Sequence, residues 1–364
     1  MANISASASR WHRTLTRLGA TLTCLTLQSW LPLAPAIAAT RQQPPSIPLG
    51  LSGLDLTETG LTEAELAETE RAETSPTDPM VLAQTGAVCA NDLETWINRV
   101  VNAPTFRRGK WGIKVQALRD GTVFYERNSN AFFIPASNMK LFVTAAALQR
   151  YGPDARPYQS RVADWVKYIN EFSNNKSADS LFRTMGYHSG VQNALAVLPV
   201  NANGFRMRDG SGLSRRNAVQ PATVVQLLDA MSRAKGSDAF RRSLPIAGRS
   251  GTLRRRFRGT PVAGRVLAKT GTLRGVRALS GYLEHPLYGT LLFSILVNQP
   301  GQSGKTMLGA IDTIVGTVMG MRPCEGGLPV NDTVEPGPRS PIRLGPSGLP
   351  RTDTWPSLLQ RRDS

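Results

Sequence analysis

Ile134-Pro135-Ala136-Ser137-Asn138-Met139-Lys140 runs straight into Leu141-Phe142-Val143-Thr144-Ala145-Ala146-Ala147-Leu148. The apolar run predicts a core helix over about 138–150, stopped by Gly152. Ser137 then lies at the helix N-terminus, with Lys140 one turn on and on the same face. A serine hydroxyl is a poor nucleophile until a base takes its proton. A lysine amine can be that base once burial or a nearby cation lowers its pKa. Helix-terminal amides also favour negative charge developing beside them. Ser-x-x-Lys recurs at Ser173–Lys176 and Ser232–Lys235. Ser137 is preferred because the long apolar helix behind it can hold the pair rigidly, whereas Ser232 falls at a helix end with no free amides.

Outward from this stretch, Asn91 is placed to cap a helix running to about 101, with Pro104 beyond it. Segments 111–118 and 122–126 flank an Asp120-Gly121 turn and read as a hairpin. Segments 162–171 and 177–185 read as helices, and Pro221 opens another to about 234. Three strands follow at 266–273, 278–284 and 290–297, then an apolar helix at 305–319. This order predicts an α+β fold, an antiparallel sheet with helices on its faces and a small helical region.

Three further segments carry possible chemistry. Ser173-Asn174-Asn175 is a Ser-x-Asn between two helices, a pattern that also suits an ordinary helix cap. Asp209-Gly210-Ser211-Gly212-Leu213-Ser214 is a turn-rich loop. Lys269-Thr270-Gly271-Thr272 lies inside a predicted strand, where a glycine permits close backbone approach. A substrate strand could lie along that edge, with Lys269 and Thr270 facing its carboxylate.

Each segment is ordinary alone. In order, Ser-x-x-Lys, Ser-x-Asn and Lys-Thr-Gly resemble the penicillin-binding and β-lactamase serine acyl-enzymes. Lys-Leu-Phe-x-Thr-Ala-Ala-Ala-Leu, Ser-Asn-Asn-x-x-Ala-Asp-Ser-Leu and Asp-Gly-Ser-Gly-Leu-Ser narrow the resemblance. They are similar to the D-alanyl-D-alanine carboxypeptidase/endopeptidase family, the class C low-molecular-mass penicillin-binding proteins. The resemblance covers about 87–323 and implies the transpeptidase-like fold, with peptidoglycan and β-lactams as partners and no cofactor or metal. It further implies Ser137 as nucleophile, Lys140 as base, Ser173 as proton relay, Asn175 as amide ligand and Lys269 as carboxylate ligand. Thr270, Gly271 and Thr272 would line the substrate. A serine β-lactamase and a non-catalytic cell-wall binder are the alternatives. The former needs a deacylating carboxylate, and only Asp179, Asp209, Asp229 and Asp238 lie between 174 and 266. Members of the family usually carry extra domains between Ser-x-x-Lys and Ser-x-Asn. Here Ser137 and Ser173 are 36 positions apart, and about 152–167 joins the two parts, which predicts a shallower, wetter cleft.

The composition sets the frame. The chain has 364 residues, 41% hydrophobic and 19% charged, enough for one large domain or two ordinary ones. Its 3 Cys and 3 His exclude a disulfide-dense scaffold and argue against a multi-histidine mechanism, and no zinc-ligand spacing occurs. A net charge of +17 favours a polyanionic partner: nucleic acid, anionic lipid or a cell-wall polymer. Arg10, Arg13 and Arg17 precede an apolar stretch at 18–33 and then Ala36-Ile37-Ala38. Residues 1–38 thus read as a cleaved export signal, with a membrane anchor as the alternative. Export speaks against nucleic acid and leaves peripheral membrane association at most, in the periplasm. Residues 39–86, rich in Thr, Glu, Pro and Ala, read as a disordered linker, and 324–364 as a Pro/Arg-rich tail. Export also leaves Cys89 and Cys324 as an even pair in an oxidising compartment, a candidate disulfide.

Overall fold

The computed structural model describes residues 88–157 and 160–324. The expected leader, the linker and the tail beyond residue 324 lie outside the described residues. In chain order the elements are β1 (Val88–Cys89), α1 (Leu93–Val101), β2 (Lys110–Ala117), β3 (Val123–Arg127), α2 (Lys140–Tyr151), α3 (Val162–Glu171), α4 (Asn175–Thr184) and α5 (Tyr187–Leu195). There follow β4 (Phe205–Arg206), β5 (Ala218–Val219), α6 (Pro221–Met231), α7 (Ser237–Arg242), β6 (Val266–Leu273), β7 (Val276–His285), β8 (Gly289–Asn298), α8 (Gly304–Met319) and β9 (Met321–Arg322).

Five strands form one antiparallel sheet in the order β3-β2-β8-β7-β6. The long apolar runs of the inner strands β7 and β8 follow from burial on both faces, because successive side chains point to opposite sides. Leu279, Leu283, Leu291, Phe293 and Ile295 face α1 and α8, where Leu93, Ile97, Ile311 and Ile314 complete one core. Ala278, Tyr282, Leu292 and Leu296 face the other way, into a core shared with α2 to α6. α2 is buried along nearly its whole length, which explains why its sequence lacks a polar face. Tyr282 ties the sheet to α6 through a hydrogen bond from its hydroxyl to Leu228 O, 2.8 Å.

The fold departs from the sequence expectations at several ends. Asn91 does not cap α1. It sits in a 3-10 turn over Ala90–Asp92, and Asp92 takes the N-cap position without a side-chain bond. The helix expected from residue 138 begins as a 3-10 turn over Ala136–Met139 and becomes α-helical only at Lys140. α4 starts at Asn175, two residues early, because Asn174 caps it by accepting from Ser177 N at 2.8 Å. α6 stops at Met231, three residues short of expectation.

The connection from α2 to α3 is direct. Val162 N donates to Ala155 O and Ala163 N to Pro153 O, so the first amides of α3 are bonded to the chain leaving α2. Deeper in, Asn170 on α3 donates from Nδ2 to Thr144 Oγ1 on α2 (3.1 Å) and to Ser243 Oγ (2.9 Å). This buried polar tie fixes the end of α3, and hence the turn that follows it, against α2. At the far end of the molecule β1 pairs in parallel with β9, and Cys89 is joined to Cys324 with Cα atoms 4.8 Å apart.

Candidate active site

The Ser137 turn is held on β6 by two close backbone approaches. A Cβ at Gly271 would lie 2.6 Å from Pro135 O and 2.8 Å from Ala278 Cβ. A Cβ at Gly212, whose φ is +90°, would meet Ala136 O at 2.0 Å. Only glycine lets the strand and the loop close on the turn from both sides. Between them Ala136 has φ +49°, and Ser173 has φ +57° in the turn between α3 and α4. Non-glycine residues in this region are held there by their surroundings, and such strain gathers at functional sites.

These contacts bring four separated segments together. Lys140 is wholly buried. Its Nζ lies 2.9 Å from Ser137 Oγ, 2.7 Å from Asn175 Oδ1 and 2.5 Å from Ser211 O. Lys269, also wholly buried, donates from Nζ to Ser173 Oγ at 2.9 Å and to Thr270 O at 3.2 Å. Burial, and then the Lys269 charge, push the Lys140 amine well below its ordinary pKa, against a smaller opposite pull from Asp179 and Asp209. In its neutral form, which that shift favours, the amine has two N–H donors and one lone pair. Asn175 Oδ1 and Ser211 O can only accept, so they occupy both N–H groups. The lone pair is then left for the Ser137 hydroxyl, which is the arrangement a base needs.

The Ser211 carbonyl is itself positioned. Asp179 Oδ1 on α4 accepts from Gly210 N at 2.9 Å and Ser211 N at 2.8 Å. Asp209 accepts from Gly212 N and Ser214 N, both at 2.7 Å, and from Asn217 Nδ2 at 2.8 Å. Asp179 and Ser211 are absent from the residues singled out above as catalytic. The Asp-Gly-Ser-Gly stretch signals a tight loop, yet nothing in it says that one carbonyl reaches a lysine 71 positions earlier. Asn138 locks the opposite side. With its amide oriented by the hydrogen-bond pattern, the nitrogen donates to Lys269 O (2.8 Å) and Thr270 O (3.3 Å), and the oxygen accepts from Ser280 Oγ (2.8 Å).

Strand alternation turns the Lys269 and Thr270 side chains to opposite faces of β6. Lys269 and Gly271 point to the Ser137 face. Thr270 points to the other, where its hydroxyl meets Thr252 Oγ1 at 2.8 Å. Thr270 and Thr272 offer the site their backbone instead. β6 is an edge strand, and only its first half is covered, by Ala268 N to Pro245 O and Ala247 N to Val266 O. Since Ala268 directs its N–H off the edge, so by period two do Thr270 and Thr272. The serines of the other two Ser-x-x-Lys matches are engaged elsewhere. Ser173 is bonded to Lys269, and Ser232 Oγ donates to Asp229 O at a helix end. Among the described residues no cluster of potential metal ligands occurs, and no helix is long and apolar enough to cross a membrane.

This sheet and helical arrangement is the penicillin-binding/β-lactamase-like fold. Penicillin-binding protein 4 from Haemophilus influenzae superposes with a TM-score of 0.52 at 14% identity, covering 61% of this chain and 98% of that one. A β-lactamase from Chitinophaga pinensis gives 0.51 at 19% identity, over 63% and 98%. A sequence profile narrows the class: the D-Ala-D-Ala carboxypeptidase 3 (S13) family matches residues 93–164 and 158–318, and the chain belongs to that family. The D-alanyl-D-alanine carboxypeptidase of Actinomadura sp. (strain R39) is 43% identical over 160 residues, 40% of this chain and 29% of that protein. The chain spans about a third of the length of the curated relatives it matches.

Proposed function

We propose that the protein is a serine D-alanyl-D-alanine carboxypeptidase/endopeptidase that works through an acyl-enzyme and is acylated by penicillins. The observation that carries this is the buried Lys140 amine, 2.9 Å from Ser137 Oγ, with its two other neighbours both pure acceptors. Ser137 Oγ attacks the carbonyl of the penultimate D-alanine while Lys140 Nζ takes its proton. The tetrahedral oxyanion sits between the backbone N–H groups of Ser137 and Thr272, an arrangement worth about 3 kcal/mol of barrier per donor. Ser173, bonded to Lys269, passes a proton to the nitrogen of the departing D-alanine. Lys269 binds the terminal carboxylate and Asn175 the substrate amide. The ester at Ser137 is then cleaved by water. No step calls for a metal or cofactor.

A β-lactamase role needs a carboxylate that drives deacylation. Each of the four acids between 174 and 266 has other work. Asp179 and Asp209 hold the 209–214 loop, and Asp229 and Asp238 pair with Arg233 and Arg242 at the surface. Slow release of penicillin therefore fits the site better than rapid turnover. Residues 1–38 as an export leader, and a periplasmic location on peptidoglycan, belong to the same proposal. Intact-mass measurement after incubation with penicillin tests it. A stable adduct of one penicillin is expected on the parent and none on Ser137→Ala. No adduct on the parent, with the protein folded, leaves the cell-wall binder.

A further inference from the structure

Arg277 is wholly buried near the start of β7. Strand pairing sets it opposite Thr272, on the face of the sheet that packs on α1 and α8, where Leu279 and Leu283 of the same strand are apolar. Its guanidinium reaches back to the β6–β7 turn. Nη1 carries two N–H groups, and it donates to Leu273 O and to Val276 O, each at 2.8 Å. Those two residues pair across the turn and close it. Arg274 and Gly275, the latter with φ +71°, make the bend. The guanidinium also lies against the start of α8, so closely that a Cβ at Gly304 would overlap Nη2. One nitrogen thus grips both carbonyls of the closing pair, through the charge-assisted kind of hydrogen bond that holds geometry best.

The gripped turn borders the site in two ways. Leu273 directly follows Thr272, whose N–H is one half of the oxyanion hole in the acyl-enzyme reading. On the face opposite Arg277, Leu273 and Val276 pack on Ala136, the residue before Ser137, which is held at φ +49°. The other half of the oxyanion hole, the Ser137 N–H, therefore rests on the same turn. We propose that Arg277 is a positioning residue for the reaction: by fixing the closing pair of the turn it sets the alignment of the Thr272 N–H against the Ser137 N–H. The proposal rests on the acyl-enzyme reading. Arg277 acts from behind the sheet, through backbone alone. Removing an oxyanion donor costs about a hundred- to a thousandfold in rate, and a misplacement of about 1 Å can cost roughly a hundredfold. Loosening the turn leaves both donors present, so the expected loss is about ten- to a hundredfold.

The test uses the full chain with Arg277→Met, which fills similar volume without a donor, and with Arg277→Lys, which keeps a cationic donor on a shorter arm. Penicillin acylation is followed by intact mass against time. The final adduct fraction reports how much protein is folded, and the rate constant reports the site. Arg277→Met should reach the parental fraction about ten- to a hundredfold more slowly, with Arg277→Lys between the two. Phenylboronic acid is the second probe. Ser137 Oγ adds to its boron, the hydroxyl proton passes to Lys140, and a boronate oxygen takes the oxyanion place. Its inhibition constant should rise in step with the lost rate. The affinity of a D-Ala-D-Ala peptide for Ser137→Ala, with and without Arg277→Met, should change less than about threefold, because the oxyanion donors act on the tetrahedral state. A role confined to stability would lower the adduct fraction and leave the rate constant and boronate affinity parental. That result overturns the proposal, as does an equal loss of peptide and boronate affinity. Should Arg277→Met not fold, Arg277→Lys carries the same comparisons. A parent chain that is never acylated sinks the enzyme reading and this proposal with it. An acylated parent with a parental rate in every folded variant sinks the proposal alone.

Discussion

Replacing Asp179 separates two jobs that one carboxylate performs. Its Oδ1 holds Gly210 N and Ser211 N at 2.9 and 2.8 Å, and both residues are buried. Asp179→Ala leaves two buried N–H groups without an acceptor, at about 1–3 kcal/mol each, so a loss of about 2–4 kcal/mol is expected once water entry at the half-buried carboxylate is allowed for. Asp179→Asn keeps an oxygen in place and should cost about 1 kcal/mol or less. Urea unfolding measures both. The alanine variant should also acylate slowly, because the freed loop no longer holds Ser211 O on Lys140 Nζ. The asparagine variant isolates the charge. Asp179 pulls the Lys140 pKa upward against the larger downward push of burial and Lys269. Without that negative charge the amine loses its proton at lower pH, so the acid limb of the acylation profile should move to lower pH. The limb belongs to the coupled lysines and is read as an apparent value. Unfolding midpoints that coincide for Ala and Asn, or a limb that moves to higher pH in Asn, would refute the reasoning.

Peptide mapping of the penicillin adduct should place it on Ser137; a label on Ser173 reverses the two roles. Lys140→Met should abolish acylation. Burial holds the folded pKa of Lys140 below its ordinary 10.5, so folding expels a proton. Parent stability should therefore rise with pH up to about 10.5, and the slope should flatten in Lys140→Met; identical slopes by chemical denaturation would exclude Lys140 as its source. Gly271→Ala should destabilise by roughly 1–3 kcal/mol and slow acylation, because the new methyl meets backbone at Pro135 and cannot be moved aside; a parental melting temperature with a parental acylation rate would sink this. The short link from α2 to α3 should favour small D-Ala-D-Ala peptides over cross-linked peptidoglycan, measured as the ratio of kcat/KM values against a relative that keeps the insert; equal ratios count against it.

What could be seen in the sequence depended on how local each signal was. β7, β8 and α8 were visible because doubly buried strands and a core helix write long apolar runs. The Ser-x-x-Lys turn was visible because its partners lie one helical turn apart. α5 escaped because only Val191 and Leu195 of its nine residues are buried, too few to set a period. β4 and β5 are two residues each and leave no pattern at all. Asp179 was met only as a possible deacylating acid. Its partners lie 31 and 32 positions away, and an acid on a helix gives no hint that it serves a distant loop. The opposite facing of the Lys269 and Thr270 side chains was legible in the strand itself. Neighbours in a strand face opposite ways, so Lys269 and Thr270 could not both turn to the same side.

The Cys89–Cys324 bond has a mechanical meaning. The β1–β9 pairing spans two residues on each strand, and a ladder that short yields readily when its ends are pulled. The disulfide closes it covalently. Tension applied through chain before residue 89 and after residue 324 is then borne by one sulfur–sulfur bond and bypasses the sheet. The elements between, Ser137 and Lys269 included, form a slack ring hanging from that bond. Force entering through the two flanks would leave the Ser137–Lys140–Lys269 site unloaded for as long as the cysteines stay oxidised.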